Sequence, residues 1–172
     1  MKRPAIFLIG MPGAGKSTLG VLLAKALAMP FIDTDLLIQG RAECTLQAYL
    51  DTFGFMALRE LEESVLLEDD FAHKIVSTGG SVVYSDKGMG RLGQIGIRLY
   101  LKVGLETMLA RINNADSRGL ACKPGTSLEN IYSERAPLYE KYADIVVEVD
   151  ELNFDQSLQK IISTLALDKR WS

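Results

Sequence analysis

The segment Gly10-Met11-Pro12-Gly13-Ala14-Gly15-Lys16-Ser17 spaces two glycines, a lysine and a hydroxyl as G-x-x-x-x-G-K-[ST]. Residues of these types at this spacing bind phosphate. Glycines let backbone N–H groups turn inward around phosphate oxygens, and a following helix adds about half a positive charge at its N-terminus. Lys16, read as an exposed loop lysine, would reach the β- and γ-phosphates of a nucleotide, and the Ser17 hydroxyl would ligate Mg2+. Gly13, Ala14, Gly15 and Thr18 complete the cradle. An apolar run at residues 5–9 and a helical pattern at 16–28 supply the strand–loop–helix context this chemistry needs.

Two carboxylates form the next cluster, in Phe31-Ile32-Asp33-Thr34-Asp35. Strand C-termini in open α/β sheets face the ligand crevice, and a period of two puts Asp33 and Asp35 on the same side. One can hold the waters of Mg2+ while the other binds an acceptor hydroxyl. Helix capping by Asp35 is the plain alternative. A guanine-reading N-K-x-D is missing: the nearest string, Asn113-Asn114-Ala115-Asp116, lacks the lysine. The acid that ends a later strand in motor ATPases is missing too, since Ile75-Val76-Ser77-Thr78-Gly79-Gly80 ends in hydroxyls and glycines.

Short apolar runs at 5–9, 31–33, 75–77, 97–101 and 145–149 read as buried strands. Helical periodicity marks 16–28, 55–71, 104–112, 127–142 and 154–167. The alternation predicts a doubly wound α/β sheet, parallel and covered on both faces. Residues 1–172 are expected to form one domain, with 36–72 holding a helical insert and the following helix. The polar stretch 113–127, with Gly119, Pro124 and Gly125, lacks any period and is expected to be a lid.

Composition narrows the function classes. The 172 residues carry 19 Lys+Arg and 22 Asp+Glu, a net charge of −3, which argues against a nucleic-acid-binding domain. An apolar fraction of 48% excludes disorder for most of the chain. No run reaches the roughly 18 apolar residues of a membrane span. The N-terminal apolar run is too short for a signal peptide, so a cytoplasmic protein is expected. Cys44 and Cys122 stand far apart, without metal or redox spacing. His73 lies away from every motif, Tyr49, Phe53 and Phe55 near the insert read as core packing or else as walls of a substrate pocket, and Trp171 has no reading.

These motifs together resemble the shikimate kinase family, nearly end to end. The resemblance rests on six segments in order: the phosphate loop through Thr18, Asp33-Thr34-Asp35, Gly54 to Arg59 with Glu62, Thr78-Gly79-Gly80, Arg118, and Glu134-Arg135-Ala136-Pro137-Leu138-Tyr139. It implies a five-stranded sheet of order 2-3-1-4-5 and transfer of the ATP γ-phosphoryl group to the 3-hydroxyl of shikimate. Arg59 and Arg135 would grip the shikimate carboxylate as two guanidinium forks. From sequence alone, Arg59 beside Glu60, Glu62 and Glu63 reads equally as a surface ion pair. Gly79 and Gly80 would let backbone approach the substrate ring, and Asp35 would orient, or deprotonate, the attacking hydroxyl. Arg118 would close on the ATP phosphates, and Arg111 would stack near adenine. Asp33 and Ser17 would hold Mg2+. Shikimate and ATP are the implied small-molecule partners, the pathway is chorismate and aromatic amino-acid biosynthesis, and a monomer with no nucleic-acid or membrane partner is expected.

Several positions depart from the family pattern. Gly119 stands where the lid has proline, Ser81 where the turn has a third glycine, and Leu58 where an aromatic precedes Arg59. A basic residue expected before the last helix is replaced by Asp150-Glu151-Leu152-Asn153. A gluconate- or nucleotide-type kinase on the same scaffold is one alternative reading. A non-catalytic nucleotide-binding module is the other.

Overall fold

The computed structural model describes residues 3–113 and 120–171. Five strands make one parallel sheet: β1 (Ala5–Ile9), β2 (Phe31–Asp33), β3 (Ile75–Ser77), β4 (Gly96–Lys102) and β5 (Ile145–Glu148). Their order is β2-β3-β1-β4-β5, as expected. Ile6 pairs with Ile75 on one side and Ile97 on the other; Leu8 pairs with Ser77 and Leu99. All five residues of β1 are buried, because strands flank it on both edges and helices cover both faces. That is why it reads as an unbroken apolar run.

The helices are α1 (Lys16–Leu27), α2 (Thr34–Ala42), α3 (Leu46–Glu68), α4 (Asp86–Ile95), α5 (Leu105–Asn113), α6 (Leu128–Tyr142) and α7 (Phe154–Leu165), with a 3-10 turn at Val82–Tyr84. The chain leaves β1 through α1 toward β2, and leaves β3 through α4 toward β4. Loops after β1 and β3 therefore part in opposite directions, which opens a crevice at their C-terminal ends.

Helix α3 is two helical segments joined at Gly54, whose φ of 83° and ψ of 171° are not helical. The second segment runs from Phe55, as expected, and the first, capped by the Thr45 hydroxyl accepting from Ala48 N–H, belongs with α2 to the expected helical insert. One element differs from the sequence reading. Helix α4 had no signal, since Gly88, Gly90 and Gly93 sit within ten residues. Packing explains two of them. A Cβ on Gly88 would lie 2.6 Å from Leu66 Cδ1, and one on Gly93 would lie 2.7 Å from the Arg98 guanidinium carbon. The helix rests so close to α3 and β4 that helix propensity is outweighed by contact.

Trp171 acquires a reason. It packs against the core, and the Arg3 guanidinium lies over its ring at 5.0 Å, tying the two ends of the chain together. No helix among the described residues is long and apolar enough to cross a membrane.

Candidate active site

A cleft of about 340 Å3 lies at the crevice, bounded by residues 12–18, Asp35, Glu62, Thr78 to Ser81, Ala121 and Arg135. The loop after β1 enters α1 through Gly15, whose φ of 89° is left-handed and favours glycine. No side chain caps α1, so its first N–H groups stay available to an anion.

Lys16 is not the exposed residue the sequence suggested. It is 9% exposed, and its ammonium donates to the carbonyls of Gly10 (2.8 Å) and Met11 (2.9 Å). Burial pulls its pKa down to about 8, against the pull of Asp35 and Asp33. The lysine is thus held inside the loop at the floor of the cleft.

The Ser17 hydroxyl donates to Asp33 Oδ2 at 2.6 Å and lies 3.2 Å from Ser77 Oγ. The other oxygen of Asp33 accepts from Asp35 N–H at 3.0 Å, capping α2. Asp33, not Asp35, is therefore the cap. Strand periodicity is also not what places Asp35, because it sits in the first turn of α2. Its carboxyl pKa is raised, chiefly by burial and then by Asp33, with Lys16 opposing.

Gly79 and Gly80 follow β3. Gly79 N–H donates to the buried Thr34 hydroxyl (3.2 Å), and Tyr139 donates to Gly80 C=O. A Cβ on Gly79 would lie 2.6 Å from Glu62 Oε1 and 3.1 Å from Asp35 Oδ1. A side chain there would push the Glu62 carboxyl from its position.

Arg59 and Arg135 converge. Arg59 donates to Ala121 C=O through Nε (3.3 Å) and Nη2 (3.1 Å), and Arg135 donates to the same oxygen through Nη2 (3.1 Å). Arg59 lies over the Tyr84 ring at 3.7 Å, and Arg135 Nε donates to the Tyr84 hydroxyl at 3.4 Å. Arg135 is 1% exposed. Two guanidinium forks are thus aimed at one oxygen, a geometry that suits a carboxylate, and Arg135 lies beside Gly80 and Pro12 of the phosphate loop.

A sequence model of the shikimate kinase family matches residues 12–166. A shikimate kinase from Vibrio vulnificus is 37% identical over 163 residues, covering 93% of this chain and 95% of that one. The chain belongs to the shikimate kinase family. A relative from Colwellia psychrerythraea is 38% identical over 164 residues, again with 93% and 95% coverage. Among solved structures, shikimate kinase from Acinetobacter baumannii, in complex with shikimate, superposes with a TM-score of 0.87 at 28% identity, covering 97% of this chain and 95% of that one. A gluconokinase from Sinorhizobium meliloti, at 16% identity and TM-score 0.51, shares the fold alone. Membership of the shikimate kinase family makes this chain an ATP-dependent phosphotransferase.

Shikimate kinase motifs account for most of the cleft, but not all of it. Tyr84, which carries both arginines, is a residue the sequence reading passed over, as is Thr34. Ser81 was noted only as a missing glycine. Each packs through contacts that no spacing rule encodes. Beside the phosphate loop, a second cleft of about 360 Å3 is bounded by Gly13, Arg111, Leu152, Asn153 and Phe154. Arg111 donates to Gly13 C=O at 3.1 Å. Phe154 is half-exposed at that cleft, near the place where a basic residue was expected. Phe55 packs near Arg59 at 5.2 Å, whereas Phe53 is exposed and Tyr49 packs against it. His73 Nδ1 donates to the Arg3 carbonyl, away from the cleft. Arg118 lies outside the described residues, as does Gly119.

Proposed function

We propose that this protein transfers the γ-phosphoryl group of ATP to the 3-hydroxyl of shikimate. The observation that carries the reading is the convergence of Arg59 and Arg135 on the Ala121 carbonyl oxygen. That oxygen stands in for a carboxylate oxygen of the acceptor. Shikimate carries one carboxylate, and bidentate capture by two guanidinium groups suits it.

ATP phosphates would lie on the N–H groups of residues 13–18 at the start of α1, with adenine in the cleft between Arg111 and Phe154. Lys16 would turn from the loop carbonyls to the β- and γ-phosphates, and at pH 7 it is mostly an ammonium. Asp35 orients the acceptor hydroxyl for in-line attack, and its raised pKa suits a group that takes a proton late in the reaction. Gly79 and Gly80 admit the ring close to the backbone. Most of the catalysis is positioning and charge neutralisation.

Ser17 and Asp33 fit Mg2+. They offer a hydroxyl and a carboxylate 2.6 Å apart, hard oxygen donors with no soft ligand nearby. When bound, Mg2+ would neutralise charge on the β- and γ-phosphate oxygens. Free Cys44 and Cys122 suit a reducing cytoplasm, where we place the enzyme as a monomer.

The test is ADP production with saturating MgATP, with and without shikimate, beside gluconate and nucleoside monophosphates. Shikimate-dependent turnover is expected. Turnover with gluconate or a nucleotide instead, or none above the acceptor-free rate, overturns the reading.

A further inference from the structure

Ser81 is buried at 4% exposure, yet its hydroxyl does nothing for the turn it opens. It precedes the Val82–Tyr84 turn with an ordinary φ of −91° and makes no side-chain capping bond there. The hydroxyl donates instead to Glu62 Oε2 on α3. Glu62 is itself 7% exposed, and its other oxygen lies against Gly79 beside Asp35 Oδ1. Both residues border the acceptor end of the cleft.

We propose that Ser81 is a positioning residue for acceptor binding: its hydroxyl holds Glu62 as an oriented carboxylate on the wall of the shikimate site. The proposal rests on the function proposed above. A carboxylate fixed there has three effects. It offers Oε1 to a ring hydroxyl alongside Asp35. It offsets one of the two guanidinium charges, so the arginine pair presents a net charge suited to a single acceptor carboxylate. It also keeps Arg135 from being a buried cation without a counter-ion.

Several charged groups face Glu62. Asp35 of α2 disfavours its charge, whereas Arg135 of α6 and Arg59 on its own helix favour it. Lys16 lies beyond Asp35 and couples to it. Tyr84 sits between the arginines. Burial dominates and lifts the Glu62 carboxyl to about 7, with the Ser81 hydroxyl pulling downward. Glu62 therefore changes charge in the working pH range, and the Ser81 bond, opposing burial, increases the share that is ionised there.

The experiment compares the parent with Ser81→Ala, Ser81→Gly and Glu62→Gln. Glycine is the residue the family carries at this turn, and alanine removes one oxygen, so both variants fold. Profiles of kcat/KM for shikimate against pH are measured at saturating MgATP, and Glu62 is titrated by carboxyl 13C NMR in the free proteins, assigned with Glu62→Gln. The parent profile is expected to fall as pH drops through about 7. In both Ser81 variants the fall moves to higher pH by about one unit, since a hydrogen bond to a charged group is lost. At pH 6.5 this reads as a several-fold rise in KM for shikimate, with kcat and the KM for ATP changing less. Glu62→Gln lacks that fall. A parent-like profile in both Ser81 variants overturns the proposal, whether or not the NMR titration moves. A parent that does not turn over shikimate defeats the proposed function instead. The NMR titration then still decides whether Ser81 holds Glu62 ionised, and an unmoved titration overturns that.

Discussion

Lys16, Asp35 and Arg135 line one cleft, Arg59 meets Arg135 at the Ala121 carbonyl, and the four should fail differently when changed. Lys16→Ala removes the ammonium proposed to meet charge developing on the transferred phosphoryl group. Turnover should fall by about 100-fold or more, while circular dichroism stays native. A folded variant with near-normal turnover defeats the phosphate-loop assignment. Arg59→Ala leaves one fork on the acceptor carboxylate, so the KM for shikimate should rise about tenfold with little change in ATP affinity. Alanine is the wrong probe at Arg135, which is fully buried and faces Glu62. It would leave a cavity and an uncompensated carboxylate. Arg135→Lys keeps the charge but loses the fork, and calorimetry should show weaker shikimate binding in a folded protein. Asp35→Asn keeps the shape and loses the proton acceptor, so kcat should fall more than KM rises. Unchanged shikimate affinity in both arginine variants would send the search to other acceptors.

The glycines of α4 carry a prediction about the elements. A Cβ on Gly90 meets nothing within 4 Å, whereas one on Gly88 meets Leu66 at 2.6 Å and the capping Ser85 hydroxyl at 2.8 Å. Gly90→Ala should stabilise by about 0.5–1 kcal/mol through helix propensity. Gly88→Ala should destabilise by about 1–3 kcal/mol through overpacking against buried Leu66. Thermal melts of the pair separate propensity from contact, and equal shifts of one sign would contradict the tight seat of α4. The same contrast explains what the sequence disclosed. Strands β1 and β3 were legible to the residue, because central parallel strands are apolar on both faces, and the edge strand β2 was legible as a short apolar run ending at Asp33. Helix α4 was hidden, because two of its three glycines, Gly88 and Gly93, answer to neighbours distant in sequence. At the site, Gly15, Lys16 and Ser17 were legible because the segment they form is contiguous in sequence, where the chain passes from β1 into α1. Tyr84, Thr34 and the Ser81–Glu62 bond were not, since they couple loops that only the sheet order brings together.

Over the molecule as a whole, the acceptor and phosphate sites place ionisable groups where water is scarce, and this shapes stability against pH. The folded state raises Glu62 from 4.5 to about 7. Between those values the folded protein holds more protons than the unfolded chain, so stability falls as pH rises. Asp35, also raised, adds to the same slope from its acid end. Lys16 is lowered from 10.5 to about 8. Between 8 and 10.5 the unfolded chain holds more protons, so stability rises again with pH. The two slopes leave a trough between about pH 7 and 8, where Glu62 and Lys16 are both largely charged and the site is competent. Asp144, held below its usual range by Arg98 and Arg170 despite its burial, gives the opposite trend only in acid, losing its contribution as pH falls below about 4. Melting temperatures from pH 4.5 to 10 test this. Glu62→Gln should flatten the decline between pH 5 and 7, and Lys16→Met should remove the recovery above pH 8. MgATP with shikimate should fill the trough, because phosphate pairs with Lys16 and each ligand stabilises the folded state by mass action, about 2.7 kcal/mol at 100 times its Kd. A parent profile that is flat from pH 5 to 7, or a slope unaltered in Glu62→Gln, would show that the charge of this carboxyl is not what the folded cleft strains to hold.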